Sequence, residues 1–168
     1  MTEIIVCNAG PLIHLDQVSC IDLLSDFSTL LVPDVVWSEV LKYRHSALPQ
    51  SFAARVPAPP VPDAKLAALC RAFSLDAGET ACLEILADRG GALFLTDDAA
   101  ARLVAEEMGI EVHGTIGVLI RSVRCGKRKP SDVLRLLDEL PSRSTLFVQK
   151  TLLEDIKRKL RKEWGPGQ

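Results

Sequence analysis

Short apolar runs alternate with segments of helical hydrophobic spacing along most of this chain. The runs are rich in β-branched and aliphatic residues, which favours buried strands. Four runs predict strands, at Glu3–Cys7, Thr29–Val32, Ala92–Leu95 and Ile110–Val112. Apolar residues three or four positions apart predict helices between the strands and throughout the C-terminal third. Strands that alternate with helices predict an α/β fold with a mostly parallel central sheet.

The segment from residue 44 to residue 62 departs from this pattern because it contains five prolines. Proline has no backbone N–H to donate to a sheet, so this segment is predicted to be a loop. A long irregular segment in a compact domain is often a flap or a partner-binding edge. Both interpretations of residues 44–62 stay open at this point.

The composition is that of an ordinary globular domain. The chain has 168 residues, of which 48% are hydrophobic and 25% are charged. No apolar run is long enough to span a bilayer, and the N-terminal MTEIIVCNAG has no basic leader. The five cysteines form no CxxC pair. These features predict a cytoplasmic protein with reduced thiols and no membrane association.

Polar residues occupy the predicted junctions between strands and helices. Asn8 follows the first strand, and Asp97 and Asp98 follow the third. Glu39 and Glu79 lie in the first turns of two predicted helices. Because the carboxyl ends of parallel strands meet at one edge of a sheet, we expect these side chains to be neighbours. Oxygen ligands without His or Cys favour a hard cation such as Mg²⁺ or Mn²⁺.

Each of these residues also has a purely structural explanation. Asn8 is a good helix N-cap, as is either of the two adjacent aspartates. Asp76 with Glu79 three residues later has the pattern of a capping box. Glu39 would pair with Lys42 on a helix surface. The hypothesis of a metal site therefore depends on these residues meeting at one edge, and no single residue decides it.

Basic residues cluster after the fourth predicted strand, although the net charge is −2. A local basic patch can contact a phosphate backbone, and a solvated helix end is the structural alternative. The candidate nucleic-acid-binding residues are Arg121, Arg124, Lys127, Arg128 and Lys129. A second basic stretch precedes Trp164, an aromatic residue that would stack on a base or pack on a second subunit.

Several motifs resemble a PIN domain in their order and spacing, and the resemblance covers most of the chain. It suggests the prokaryotic branch of PIN-like proteins that carry a short helical C-terminal extension. The matching motifs are IVCNAGPLI at 5–13, VP at 32–33, VWSEV at 36–40, LDAGE at 75–79, LTDD at 95–98 and GTIGVL at 114–119.

The resemblance implies a Rossmann-like, three-layer fold with a parallel sheet of four to five strands. The PIN-like domain would span residues 1–126, with a helical extension at 127–168 packed on it. The resemblance also implies Mg²⁺- or Mn²⁺-dependent cleavage of RNA, a homodimer and, in many relatives, a toxin held inactive by a small cognate antitoxin. Carried onto this chain, the catalytic residues are Asn8, Glu39, Glu79 and Asp98, the metal ligands include Asp97 as well, and Thr96 and Thr115 support them.

Asn8 departs from the resemblance, because PIN nucleases usually place Asp at this position. Its neutral amide removes one negative charge from the predicted site, which should weaken cation binding. Two functional hypotheses follow. The first is a metal-dependent endoribonuclease, and the second is a catalytically weak PIN-fold module that binds RNA or a protein partner.

Overall fold

A computed structural model of the protein describes residues 3–165. Its central sheet has five strands: β1 Ile4–Cys7, β2 Thr29–Pro33, β3 Ala53–Val56, β4 Leu93–Leu95 and β5 Glu111–His113. All neighbouring strands are parallel, in the order β3-β2-β1-β4-β5. The order reverses between β1 and β4, which is the point where open parallel sheets form their ligand crevice.

The central strand β1 explains the unbroken apolar run at the start of the chain. Ile5 pairs with Leu30 of β2 on one side and with Leu93 of β4 on the other. Ile5, Val6 and Cys7 are all buried, because helices cover both faces of the sheet. A strand covered on both faces needs apolar side chains at every position, so it shows no alternation.

Helices connect the strands and cover the sheet. Contacts join α1 to α2 and α6, and α3 to α4 and α5, and α2 also contacts α4. Right-handed crossovers between parallel strands are expected to place α1 and α2 on one face and α5 on the other, because β1, β2 and β3 run to one side of the sheet and β4 and β5 to the other. Two 3-10 helices, Ile21–Asp26 and His45–Ala47, precede β2 and β3. The helices are α1 Ala9–Gln17, α2 Asp34–Tyr43, α3 Ala64–Ala72, α4 Ala77–Arg89, α5 Ala99–Glu107, α6 Thr115–Arg124, α7 Pro130–Arg143 and α8 Lys150–Trp164. The predicted three-layer α/β fold is confirmed.

The prediction of a loop over residues 44–62 was partly wrong, because this segment contains strand β3. The strand lies at the edge of the sheet, and its two middle residues, Ala54 and Arg55, are exposed. An edge strand of four residues with an exposed centre needs no apolar alternation, so its sequence gives no clear signal. Arg55 Nε donates to Asp34 Oδ1 at 2.6 Å, which ties β3 to the start of α2.

The C-terminal helices extend the same hydrophobic core. Leu137 and Leu140 of α7 and Leu153 and Leu160 of α8 are buried within it. Lys157 is buried between the two helices and pairs with carboxylates of Asp138 and Glu154. The division at residues 126 and 127 stays a prediction, and the outer ends of its two parts, residues 1–2 and 166–168, lie outside the described residues.

Two further sequence predictions concern membranes and thiols. None of the helices between residues 3 and 165 combines the length and the apolar character that crossing a membrane requires. All five cysteines are free thiols, of which four are buried and Cys125 is exposed.

Candidate active site

One cleft at the carboxyl edge of the sheet is lined by the predicted site residues. It lies at the carboxyl ends of the neighbouring strands β1 and β4, and its volume is about 340 Å³. Its polar lining residues are Asn8, His14, Glu39, Asp76, Glu79, Thr96, Asp97 and Asp98. The structure therefore brings the five predicted metal-binding residues together, along with Thr96.

Asn8 occupies the N-cap position of α1, yet its side chain makes no capping hydrogen bond. Its backbone N–H instead donates to the Leu95 carbonyl at 2.9 Å, which joins β1 to β4. The residue is only 8% exposed, and its side chain lies beside Gly78 in the first turn of α4. A Cβ at Gly78 would lie 3.3 Å from Asn8 Oδ1, so the glycine leaves room for this amide. The capping interpretation of the Asn8 side chain was wrong.

Glu79 and Asp76 form the predicted capping box at the start of α4. Glu79 N–H donates to Asp76 Oδ1 at 2.8 Å, and Asp76 N–H donates to Glu79 Oε2 at 2.9 Å. Burial raises the pKa of the Glu79 carboxyl, against the opposing effect of the Asp76 N–H bond, and three nearby carboxylates raise it further. The capping box thus fixes a buried carboxylate in the cleft, and the two interpretations of Glu79 are compatible.

Glu39 reaches the cleft from α2. It forms no ion pair with Lys42 within the described chain; the Lys42 ammonium instead lies 5.1 Å from the centre of the Tyr43 ring. The Glu39 side chain is exposed at the rim. Partial burial raises the pKa of its carboxyl, and the charge of Asp76 adds to the shift.

Asp98 is the N-cap of α5. Its Oδ1 accepts from the Ala101 N–H at 2.8 Å, and its own N–H donates to Thr96 Oγ1 at 3.2 Å. Thr96 is fully buried, so it fixes the backbone at the end of β4 from inside. One oxygen of Asp98 caps the helix, and the side chain still lies at the surface of the cleft.

Asp97 has a different environment from its neighbour Asp98. Its Oδ1 accepts from the Thr115 N–H at 2.7 Å, and its Oδ2 accepts from Thr115 Oγ1 at 2.6 Å. His14 Nδ1 lies 2.8 Å from the same Oδ2. A Cβ at Gly114 would lie 2.6 Å from Asp97 Oδ1, so any side chain there would displace the Asp97 carboxylate. Both oxygens are engaged, which makes Asp97 an anchor between α1, β4 and α6.

Sequence reasoning did not assign a role in the site to His14, Asp76 or Phe147. The contact of His14 with Asp97 joins residues that are 83 positions apart in the chain. Asp76 was recognised as a cap, which it is, but it also adds a carboxylate to the cleft. Phe147 lies in the link between α7 and α8, where sequence alone gave no signal of a site.

The basic cluster lies away from the acidic cleft. Helix α6 begins beside Asp97 and runs back along the sheet for ten residues, which is about 15 Å. Four of the five cations also have acidic partners: Arg121 and Lys127 with Asp26, Arg124 with Glu163, and Arg128 with Asp22. These pairs lower the local positive charge, so RNA contact by Arg121–Lys129 stays a prediction.

The donor set of the cleft fits a hard divalent cation. Between residues 3 and 165, no three His, Cys, Asp or Glu side chains converge closely enough to hold one ion by themselves. Mg²⁺ keeps several waters and is commonly bound through one or two carboxylates and substrate phosphates. Dispersed carboxylates with an amide oxygen suit such a hydrated ion. The raised pKa values of Glu39 and Glu79 also mean that a cation would stabilise their charged forms.

The family comparison agrees with this geometry. The model of the DUF3368 family, which is described as a PIN domain, matches residues 4–162. This chain belongs to the PIN-domain family. PIN domains are generally nucleases, so the acidic cleft lies in a nuclease-like fold. A comparison with curated proteins found no match.

Proposed function

We propose that this PIN-domain protein is an Mg²⁺- or Mn²⁺-dependent endoribonuclease. The main support is that five carboxylates and Asn8 line one cleft at the carboxyl edge of the sheet. Burial and neighbouring charges raise the pKa of Glu79, so its charged form is costly without a counter-ion. A cation held there would attract the phosphates of RNA.

Some side chains of the site would hold the ion, and others keep those side chains in position. When bound, a divalent ion supplies Lewis-acid activation for phosphodiester hydrolysis. Asp97, fixed by Thr115 and His14, keeps the turn after β4 rigid and so positions Asp98. The capping box with Asp76 likewise holds the Glu79 side chain in position. The residues that would hold the ion are Asn8, Glu39, Glu79 and Asp98.

The proposal includes a biological role as the toxin of a toxin–antitoxin pair. That role, a small antitoxin partner and a homodimer all rest on the family resemblance. A short reading frame overlapping the upstream end of the gene would support the toxin role.

A second candidate function is a catalytically weak PIN-fold module that binds RNA or a protein. Two observations favour it. Asn8 is neutral where the family resemblance expects Asp, and Asp76, Glu79 and Asp98 all have structural roles as caps. Under this alternative the acidic side chains stabilise helix ends, and adding a carboxylate at residue 8 would strengthen a deficient site.

The endoribonuclease proposal is tested by titrating Mn²⁺ into the protein and measuring RNA cleavage on the same samples. Asp98→Asn keeps an N-cap oxygen and removes one charge. We expect Mn²⁺ affinity to fall about tenfold, equivalent to roughly 1.4 kcal/mol. Chelation with EDTA should abolish cleavage by the wild-type protein.

Asp63→Asn is the matched control for this test. Asp63 caps α3 through an equivalent bond, from the Leu66 N–H to Oδ1 at 2.7 Å, but it lies outside the cleft. It should bind Mn²⁺ and cleave RNA as the wild type does. Equal behaviour of the two variants, or a wild type that binds no Mn²⁺, would remove the metal site and with it the nuclease proposal.

Gly114→Ala tests the anchoring of Asp97. The new methyl group would displace Asp97 from the Thr115 N–H, so we expect cleavage to fall about 10- to 100-fold, as for loss of an outer-shell partner. Overpacking should also lower stability by about 1–3 kcal/mol. Gly109→Ala is the control, because its φ of 73° imposes strain and no atom lies near its added Cβ. Cleavage that survives in Gly114→Ala would show that the anchor is not needed.

A further inference from the structure

A second, larger cleft adjoins the acidic one. Its volume is about 680 Å³, and it lies between the start of α6 and residues 144–149, which link α7 to α8. The two clefts share Asp97, Leu146 and Phe147 in their walls. A ligand that reaches the acidic site can therefore continue into this space.

Phe147 is the most unusual residue of the second cleft, because its side chain is 85% exposed. Its two neighbours, Leu146 and Val148, pack against the core on either side of it. The link is also tied to α1, since Thr145 N–H donates to Gln17 Oε1 at 2.9 Å. The aromatic ring is thus held in solvent by an anchored backbone, at the rim of both clefts.

The remaining walls combine an apolar surface with one cation. Ile116 and Ile120 of α6 and Leu152 of α8 supply the apolar part. Arg102 lines the same cleft, with Nη1 donating to the Val112 carbonyl at 3.2 Å. Arg102 forms no salt bridge within residues 3–165, and Asp97 is the carboxylate that shares its cleft. An aromatic face and a guanidinium are the groups that bind the base and phosphate of a single-stranded nucleotide.

We propose that this cleft, defined by Phe147 and Arg102, binds one nucleotide of single-stranded RNA next to the phosphate being cleaved. The base stacks on the Phe147 ring, and the phosphate of the same nucleotide contacts Arg102. The inference rests on the proposed endoribonuclease function, because the cleft continues from the acidic site. Its volume of about 680 Å³ lies in the range of pockets that hold one small ligand.

The test compares binding of a short fluorescent single-stranded RNA with binding of an abasic strand of the same length. Anisotropy is measured in EDTA, so that cleavage does not enter. We expect Phe147→Ala to weaken binding of the intact RNA about tenfold and Phe147→Tyr to preserve it. The abasic strand should bind wild type and Phe147→Ala equally. Tyr43→Ala, which removes a 70% exposed ring at the far end of α2, should change nothing.

Two results would overturn the nucleotide subsite. In the first, Phe147→Ala binds intact RNA as tightly as the wild type; a change in sedimentation at the same time would assign the ring to contact with a second copy. In the second, Phe147→Ala loses affinity for the intact and abasic strands alike. If the wild type cleaves RNA and Phe147→Ala binds RNA as tightly as the wild type, the nucleotide subsite is wrong and the nuclease proposal stands. Failure of the wild type to bind Mn²⁺ or to cleave would instead overturn the nuclease proposal.

Discussion

Replacing Glu79 with glutamine is expected to abolish most metal-dependent RNA cleavage and to stabilise the metal-free protein at neutral pH. Glu79 is 9% exposed, the least exposed carboxylate of the cleft. Glutamine keeps the oxygen that accepts from the Asp76 N–H, so the capping box survives. The loss of one preorganised charge should lower cleavage by on the order of 10²–10³-fold.

The gain in stability follows from the raised pKa of Glu79. Its ordinary value is 4.5, and burial raises it in the folded protein, so the folded state binds this proton more tightly than the unfolded state. The contribution to stability is fully present below pH 4.5 and is lost as pH rises through the raised pKa. Glutamine carries no charge, so the free energy of unfolding of Glu79→Gln does not fall in this way as pH rises. The variant should therefore be more stable than the wild type at neutral pH and equally stable below pH 4.5.

Thermal melts in EDTA at both pH values, with RNA cleavage assays in Mn²⁺, check the two expectations together. Glu84→Gln is the matched control, because Glu84 lies on the same helix α4 but outside the cleft. It should leave cleavage unchanged. A Glu79→Gln variant that cleaves RNA normally would exclude Glu79 from the site, and equal losses in both variants would point to damage to α4.

The buried part of the sheet could be predicted from sequence, whereas its edge could not. β1, β2 and β4 are covered on both faces, so their apolar runs predict them directly. β3 lies at the edge and exposes Ala54 and Arg55, so its residues obey no strong hydrophobic pattern. The prolines on either side of β3 favoured the prediction of a loop, so the strand was missed.

The location of the acidic cleft was also predictable, because residues after parallel strands meet at one edge. The different roles of Asp97 and Asp98 were not. Two adjacent carboxylates look alike in sequence, yet one is engaged by Thr115 and His14 and the other caps α5. Those contacts depend on the packing of α1 and α6, which local sequence does not specify.

Surface chemistry was the least predictable part of the molecule. The run from Arg121 to Lys129 looks basic in sequence, but Asp22 and Asp26 pair with its cations from a distant segment. Trp164 was predicted to stack on a base or to pack on a second subunit, and in the structure it is partly buried against the core. Phe147 is not part of a sequence motif. Only the structure distinguishes it, because it is exposed while Leu146 and Val148 on either side pack against the core.

The variant Asn8→Asp should bind Mn²⁺ at least about tenfold more tightly than the wild type, a gain of roughly 1.4 kcal/mol. The substitution keeps the shape of the side chain and adds a sixth carboxylate to the five of the cleft. Hard cations are held largely by ligand charge, so the added charge should strengthen the site. Without metal, the same charge repels Glu79 and Asp98, so the melting temperature in EDTA should fall.

Melting curves with and without Mn²⁺, together with RNA cleavage rates, separate the two candidate functions. The stabilisation by Mn²⁺ should be larger for Asn8→Asp than for the wild type, because tighter binding to the folded state raises stability. A large gain of cleavage would identify the natural protein as an attenuated module, whereas tighter metal binding with unchanged cleavage would show that the amide suffices for an active nuclease. Asn8→Ala is the control and should weaken Mn²⁺ binding by removing the oxygen. If neither variant changes Mn²⁺ affinity, Asn8 lies outside the metal site, and the neutral side chain ceases to be an argument for weak catalysis.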